Sequence, residues 1–120
     1  MGTTHVMVEI KNLAADQPPY KDNFLVDTGA IHCLAAASHL RKAGIGEEGR
    51  ATCELADGSR SEFSYGFARI LFMGMETVAQ VIFGPEGCEP LLGVVALENT
   101  GVGVDPVTQS LRRLSAISLK

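Results

Sequence analysis

The stretch "FLVDTGAIHC", Phe24 to Cys33, runs three apolar residues into an aspartate and then into a Thr-Gly pair. "FLV" is long enough only to cross a core as a short buried strand. Asp27 therefore stands where the core ends. Read alone, an Asp-x-Gly after a strand is an ordinary turn, its side chain accepting hydrogen bonds from nearby amides. A carboxylate at the edge of a core costs free energy unless it is paired or hydrogen-bonded. The alternative is therefore an acid that the fold exists to position. Ala30 follows, small enough to let another chain or a ligand come close.

On the N-terminal side, "THVMVEI" alternates and predicts a strand over Thr4 to Ile10, with Val6, Val8 and Ile10 on one face. "NLAADQPPYKDN" predicts a polar, extended connection, because Pro18-Pro19 excludes a helix. On the C-terminal side, "AAASHLRKAGI" is the best helix, rich in alanine and stopped by Gly44. From Ala51 the chain turns to strands. Asp57-Gly58 between "TCEL" and "SEFSY" signals a hairpin, and "FARILF" and "VAQVIF" bracket Gly74 as a second one. "GPEGCEP", Gly84 to Pro90, is a loop, and "LLGVVALENTG" passes from a strand into a short helix ended by Gly101. "VGVDPVTQSLRRL" closes with a strand, a turn at Asp105-Pro106 and another strand. The expectation is one mostly β domain over residues 1–120, with one or two short helices.

At 120 residues the chain is large enough for one continuous core. A formal net charge of -4, with no basic cluster beyond Arg112-Arg113, argues against a nucleic-acid partner. No apolar run nears the roughly 20 residues that span a bilayer, and the N-terminus carries no signal-peptide core, so no membrane partner is expected. Cys33, Cys53 and Cys88 are odd in number and lack a C-x-x-C pair, which fits reduced thiols and a cytoplasmic location. Adjacent on an extended chain, His32 and Cys33 point to opposite faces, which predicts a buried cysteine and a surface histidine rather than a thiol enzyme. His5, His32 and His39 show no metal-ligand spacing, and neither metal nor cofactor is expected.

A second element lies downstream of the aspartate: Leu91-Leu92-Gly93 in "EPLLGVVAL", followed at once by a short helix. An acid loop, a hairpin, and a hydrophobic-hydrophobic-Gly strand in that order resemble the retropepsin-like aspartic proteases, the small homodimeric relatives of pepsin. The likeness is to their short bacterial or cellular members, and runs from Val6 to Leu111. It is carried by "LVDTGA", "CELADGSRSEF" and "VIFGPEGCEPLLGVVALENTGVGVDP".

The resemblance implies a closed β-barrel-like sheet with a flap hairpin, and a homodimer that hydrolyses a peptide or protein substrate. Asp27 of each copy would face its twin across a two-fold axis. Thr28 would bond across the interface, Gly29 would offer its backbone to the substrate, and Ala30 would complete the loop. Residues 55–61 would close as the flap, with Leu55, Ala56, Asp57 and Gly58 touching substrate. Ile31, Leu91, Leu92 and Gly93 would form the walls. The chain departs from the family at Ile31, where a polar residue is usual. It departs again at the flap tip Ala56-Asp57-Gly58, which is not glycine-rich, and at Val94, where viral members carry arginine. The alternative function is a peptide-binding or dimerisation module that keeps the fold and has lost catalysis.

Overall fold

The computed structural model describes residues 4–55, 57–105, 107–114, 116 and 119. The alternating N-terminal stretch forms β1 (His5–Lys11), with Val8 and Ile10 buried and Val6 packed against the same core. It pairs antiparallel with β2 (Tyr20–Val26), in register from His5↔Leu25 to Ile10↔Tyr20. The strand expected at Phe24–Val26 is thus seven residues long. Pro18-Pro19 ends the connection rather than sitting inside it, and the backbone pairing recruits Tyr20–Asn23 despite their polarity.

The alanine-rich stretch divides. Its first part is β3 (Cys33–Ala36), parallel to β6 (Met75–Gly84) through Cys33↔Val81 to Ala36↔Gly84. Only Ala37–Lys42 is helical, as α1, with Gly44 at φ +82° just beyond it. Alanine's helix propensity, worth a few tenths of a kcal/mol per residue, yields here to tertiary pairing. Side-chain size matters too. Ala35 and Ala36 are buried, and a Cβ on Gly84 opposite would come within 2.7 Å of the Leu34 side chain.

The two expected hairpins are present. β4 (Gly49–Glu54) pairs with β5 (Arg60–Phe72) around Asp57-Gly58, and β5 pairs with β6 around Met73-Gly74. "SEFSY" and "FARILF" belong to one strand of 13 residues. Gly66 between them does not break it. It is required for a close approach, since a Cβ there would lie 2.1 Å from the Gly46 carbonyl oxygen. β7 (Leu91–Leu92) leads into α2 (Val94–Thr100), which ends at Gly101 in the left-handed conformation, φ +70°. β8 (Val102–Val104) and β9 (Leu111–Arg113) form a separate two-stranded sheet. The intervening turn opens at Asp105, whose carboxylate accepts the Val107 and Thr108 amides. Pro106 lies outside the described residues.

The main sheet runs β1-β2-β7-β3-β6-β5-β4, and β1 also pairs with β5 through Ile10↔Ile70. That extra pairing closes a ring of six strands, with β4 attached outside it, among the described residues, by β5 alone. The fold is therefore the mostly β, barrel-like one expected, with helices of six and seven residues. No described helix is long and apolar enough to cross a membrane. The ring encloses Val8, Ile10, Phe24, Ile70, Val81 and Leu92, none more than 1 % exposed. Phe24 is the largest of the fully buried side chains and lies three residues before Asp27. Phe24→Ala is expected to cost about 3–5 kcal/mol, seen as a lower denaturation midpoint at unchanged slope in a guanidinium titration.

Candidate active site

β2 and β7 lie side by side and parallel, with Leu25 opposite Leu91 and Val26 opposite Leu92. The Leu25 amide donates to the Pro90 carbonyl at 2.9 Å and the Val26 amide to the Thr4 carbonyl at 2.8 Å, so β2 is held on both sides. The ladder then takes one further step beyond the strand. The Asp27 N–H donates to the Leu92 carbonyl at 3.1 Å. This bond fixes the aspartate's backbone just as the chain leaves the sheet.

From there the chain turns tightly. The Ala30 N–H donates to the Asp27 carbonyl at 3.1 Å, and the Gly29 N–H donates to Asp27 Oδ1 at 2.9 Å. A Cβ on Gly29 would stand 3.2 Å from that same oxygen, tighter than ordinary contact. Asp27 is half-buried, while Thr28 and Gly29 are exposed. One carboxylate oxygen is thus oriented by the loop, and no described residue donates to the other.

The far side of the loop is tied to α2. The first two amides of that helix, Val94 and Val95, donate to the Ala30 and Ile31 carbonyls at 2.8 and 3.1 Å. Between them sits Gly93, buried, at an ordinary φ of -84°. Its reason for being glycine is space: a Cβ would lie 2.4 Å from the His32 oxygen and 2.8 Å from the Ile31 oxygen. The Asp27 loop rests directly on the Gly93 backbone.

His32 is not the free surface residue expected. It is half-buried, and its Nδ1 is buried without a hydrogen-bond partner among the described residues. The backbone it belongs to is pressed onto Gly93, which draws this segment inward. Cys33 is 1 % exposed, and burial pushes its thiol up to about 11, against the opposing effect of a hydrogen bond from the Gly93 backbone. A thiol held protonated inside the core is not a nucleophile. Ile31 points the other way and is 63 % exposed. Among the described residues, no three His, Cys, Asp or Glu side chains are grouped as metal ligands would be.

At the hairpin tip, Leu55 N–H donates to the Ser59 carbonyl at 2.8 Å, and Gly58, at φ +86°, donates back to the Leu55 carbonyl at 2.9 Å. Leu55, Asp57 and Gly58 are exposed; Ala56 lies outside the described residues. Ser59's hydroxyl and then its amide hold the Asp57 carboxyl below its usual range.

The structure thus brings Asp27, Gly29, Ala30 and Ile31 together with Leu91, Leu92 and Gly93. No hydrogen bond joins the described tip residues to that cluster. Leu92 is fully buried, and what it offers the loop is its carbonyl; Leu91 is half-buried beside it. The sequence reading gave Thr4, Pro90 and Val95 no part in the site and named Val94 only as a departure from the family; all four act through backbone atoms. Only the glycine between Leu92 and Val94 hinted at them.

No protein-family model and no curated protein matches this sequence. Among solved structures, the chain is similar to the solution structure of the protease of simian foamy virus (mac), with a TM-score of 0.55 and 16% identity. The likeness covers 78% of this chain and 91% of that one. At such identity it establishes a shared retropepsin-like β fold.

Two outcomes follow from this geometry. Gly93→Ala must push the His32 backbone away, at an expected cost of about 1–3 kcal/mol in denaturant titration and with the Asp27 loop displaced. In iodoacetamide labelling at neutral pH, Cys53 should react first. Cys88 should follow more slowly, because burial and then Glu86 raise its thiol, and Cys33 should stay unlabelled until the chain unfolds.

Proposed function

We propose that this chain is an aspartic endopeptidase whose active site is completed when two copies bring their Asp27 side chains together. The observation that carries the reading is Asp27 itself. It is half-buried, its amide anchored to Leu92 and one carboxylate oxygen oriented by Gly29, in a loop seated on Gly93. An ordinary turn aspartate also accepts a nearby amide such as Gly29's, but the anchor on Leu92 and the seat on Gly93 go beyond what a turn needs. The retropepsin-like fold raises the reading further, as fold-level analogy.

Two such carboxylates held close together cannot both ionise, so the pair shares one proton and titrates as a unit. The ionised member takes a proton from a water, which attacks the substrate's peptide carbonyl carbon. The protonated member donates to the carbonyl oxygen as negative charge develops on it. The carboxyl that took the water's proton then gives it to the amide nitrogen, and the other carboxylate takes a proton back from a hydroxyl of the tetrahedral intermediate. The C–N bond breaks as the amine leaves. Each step needs the carboxylates fixed in advance, which is the role of the backbone bonds under the loop. Thr28 is exposed in the loop, and that exposure supports a role for it in bonding to its counterpart in a second copy. The extended substrate lies between this floor and the β4–β5 hairpin, recognised largely through its backbone.

The test compares wild type with Asp27→Asn in a peptide-library digest on the acidic side of neutrality, alongside a solution mass. Wild type is expected to be a dimer under assay conditions and to cleave with a bell-shaped pH profile. Asp27→Asn is expected to keep the fold and lose activity by about a thousandfold, the scale of acid–base assistance. A strictly monomeric wild type that cleaves, or an Asn variant that cleaves as well, would overturn the mechanism. Peptide binding with no cleavage would leave the chain as a binding module.

A further inference from the structure

The hairpin tip carries the one Asp-Gly pair in the chain, Asp57-Gly58. Such a pair holds a latent reaction, because the glycine amide nitrogen can close a five-membered ring onto the aspartate's carboxyl carbon. Ring closure needs a backbone free to rotate and no side chain in the way. Both residues are exposed, Gly58 sits at φ +86°, and a Cβ built on it meets nothing within 4 Å. Space therefore does not protect the pair.

Hydrogen bonds do. Asp57 Oδ1 accepts the Ser59 hydroxyl at 2.6 Å and the Ser59 amide at 2.9 Å. The Gly58 N–H, the other reacting group, donates to the Leu55 carbonyl at 2.9 Å. Electrophile and nucleophile are neighbours in the chain, and each is held by a different partner.

We propose that Asp57 is a latent isoaspartate-forming site, kept closed by the Ser59 hydroxyl for as long as the hairpin tip holds its turn. In the forward step the Gly58 nitrogen attacks Asp57 Cγ. The N–Cγ bond forms, the Cγ–OH bond breaks, and the amide proton leaves with that hydroxyl as water. A second water then opens the succinimide. Attack at the side-chain carbonyl restores aspartate, and attack at the backbone carbonyl of Asp57 leaves the chain running through the side chain. The product has one extra methylene in the backbone and a free α-carboxylate. No oxidant, metal or partner is required.

Only the protonated carboxyl carries a hydroxyl that can depart. Ser59's hydroxyl and amide hold the Asp57 carboxyl ionised to lower pH than usual, so the reactive form is scarcer than it would be without them. Removing the hydroxyl raises its population there and also loosens the carboxylate's orientation. The added methylene would break the spacing on which the Leu55–Ser59 and Gly58–Leu55 bonds depend. The inference stands whether or not the hairpin closes over a substrate.

The test incubates the folded chain at mildly acidic pH. Isoaspartate is counted by methyl transfer with an isoaspartyl methyltransferase and placed by peptide mass spectrometry. Wild type, Ser59→Ala, Asp57→Glu and guanidinium-unfolded wild type are compared, with circular dichroism to confirm that the variants are folded. Conversion at residue 57 is expected to be slow in folded wild type and about fivefold faster in Ser59→Ala, the scale of one lost net hydrogen bond. It should be faster still in the unfolded chain and absent in Asp57→Glu. Equal rates in folded wild type and folded Ser59→Ala overturn the proposal, as does a folded wild type that converts as fast as the unfolded chain.

Discussion

The contact on which the site depends is the seating of the Ala30–His32 backbone on Gly93, where a single Cβ would stand 2.4 Å from the His32 oxygen. A packed interior transmits such a clash and cannot absorb it, because backbone atoms on both sides are already hydrogen-bonded. On one side of the contact, Leu92 anchors the Asp27 amide. On the other, Val94 and Val95 anchor the Ala30 and Ile31 carbonyls. Each of these bonds is worth about 1 kcal/mol net. Together they tie the loop down on both sides, and Gly29 then orients one carboxylate oxygen. The acid's position depends on four consecutive residues, Leu92 to Val95, none of which hydrogen-bonds its side chain.

The support of the acid loop and the β4–β5 hairpin are built differently. β2, β7 and β3 lie inside a closed ring, each paired on two sides. Among the described residues β4 is paired only with β5 and stands outside the ring. The ion pairs along that hairpin, Glu54–Arg60 and Arg50–Glu62, join side chains at least 60 % exposed, and exposed pairs of this kind contribute about 0–1 kcal/mol each. A segment with few buried contacts and an exposed ladder opens at low free-energy cost. Under the proposed activity, the contrast suits a site whose reacting groups must be fixed while its cover must move.

How far the sequence could be read follows from which atoms carry each feature. The hairpins were legible because Asp57-Gly58 and Met73-Gly74 sit between alternating runs, and glycine at positive φ is a side-chain-level signal. β3 was not, since Cys33–Ala36 is a strand only because β6 lies alongside it, and four residues rich in alanine suggest a helix in isolation. The parallel pairing of β2 with β7 joins residues 66 apart and leaves no local trace. At the site, Asp27 and Gly93 announced themselves as residue types out of place. Thr4, Pro90, Val94 and Val95 could not, because what they contribute is a carbonyl or an amide that every residue type except proline's missing N–H would supply equally.

The departure at Ile31 takes on a different meaning in this setting. A polar side chain at that position is usual among the proteins this chain resembles, and Val94 stands where viral members carry arginine. In this chain the two segments are joined through the backbone instead: the Ala30 carbonyl accepts the Val94 amide and the Ile31 carbonyl accepts the Val95 amide. The loop is therefore ordered without help from either side chain. That frees Ile31 to point outward, 63 % exposed, at the rim of the acid loop. Exposing a large apolar side chain gains nothing in folding, whereas covering it on binding removes apolar surface from water at about 25 cal/mol per Å². Under the proposed activity, the substitution leaves the position of Asp27 intact and changes what the loop presents to a bound peptide, from a hydrogen-bonding edge to an apolar one.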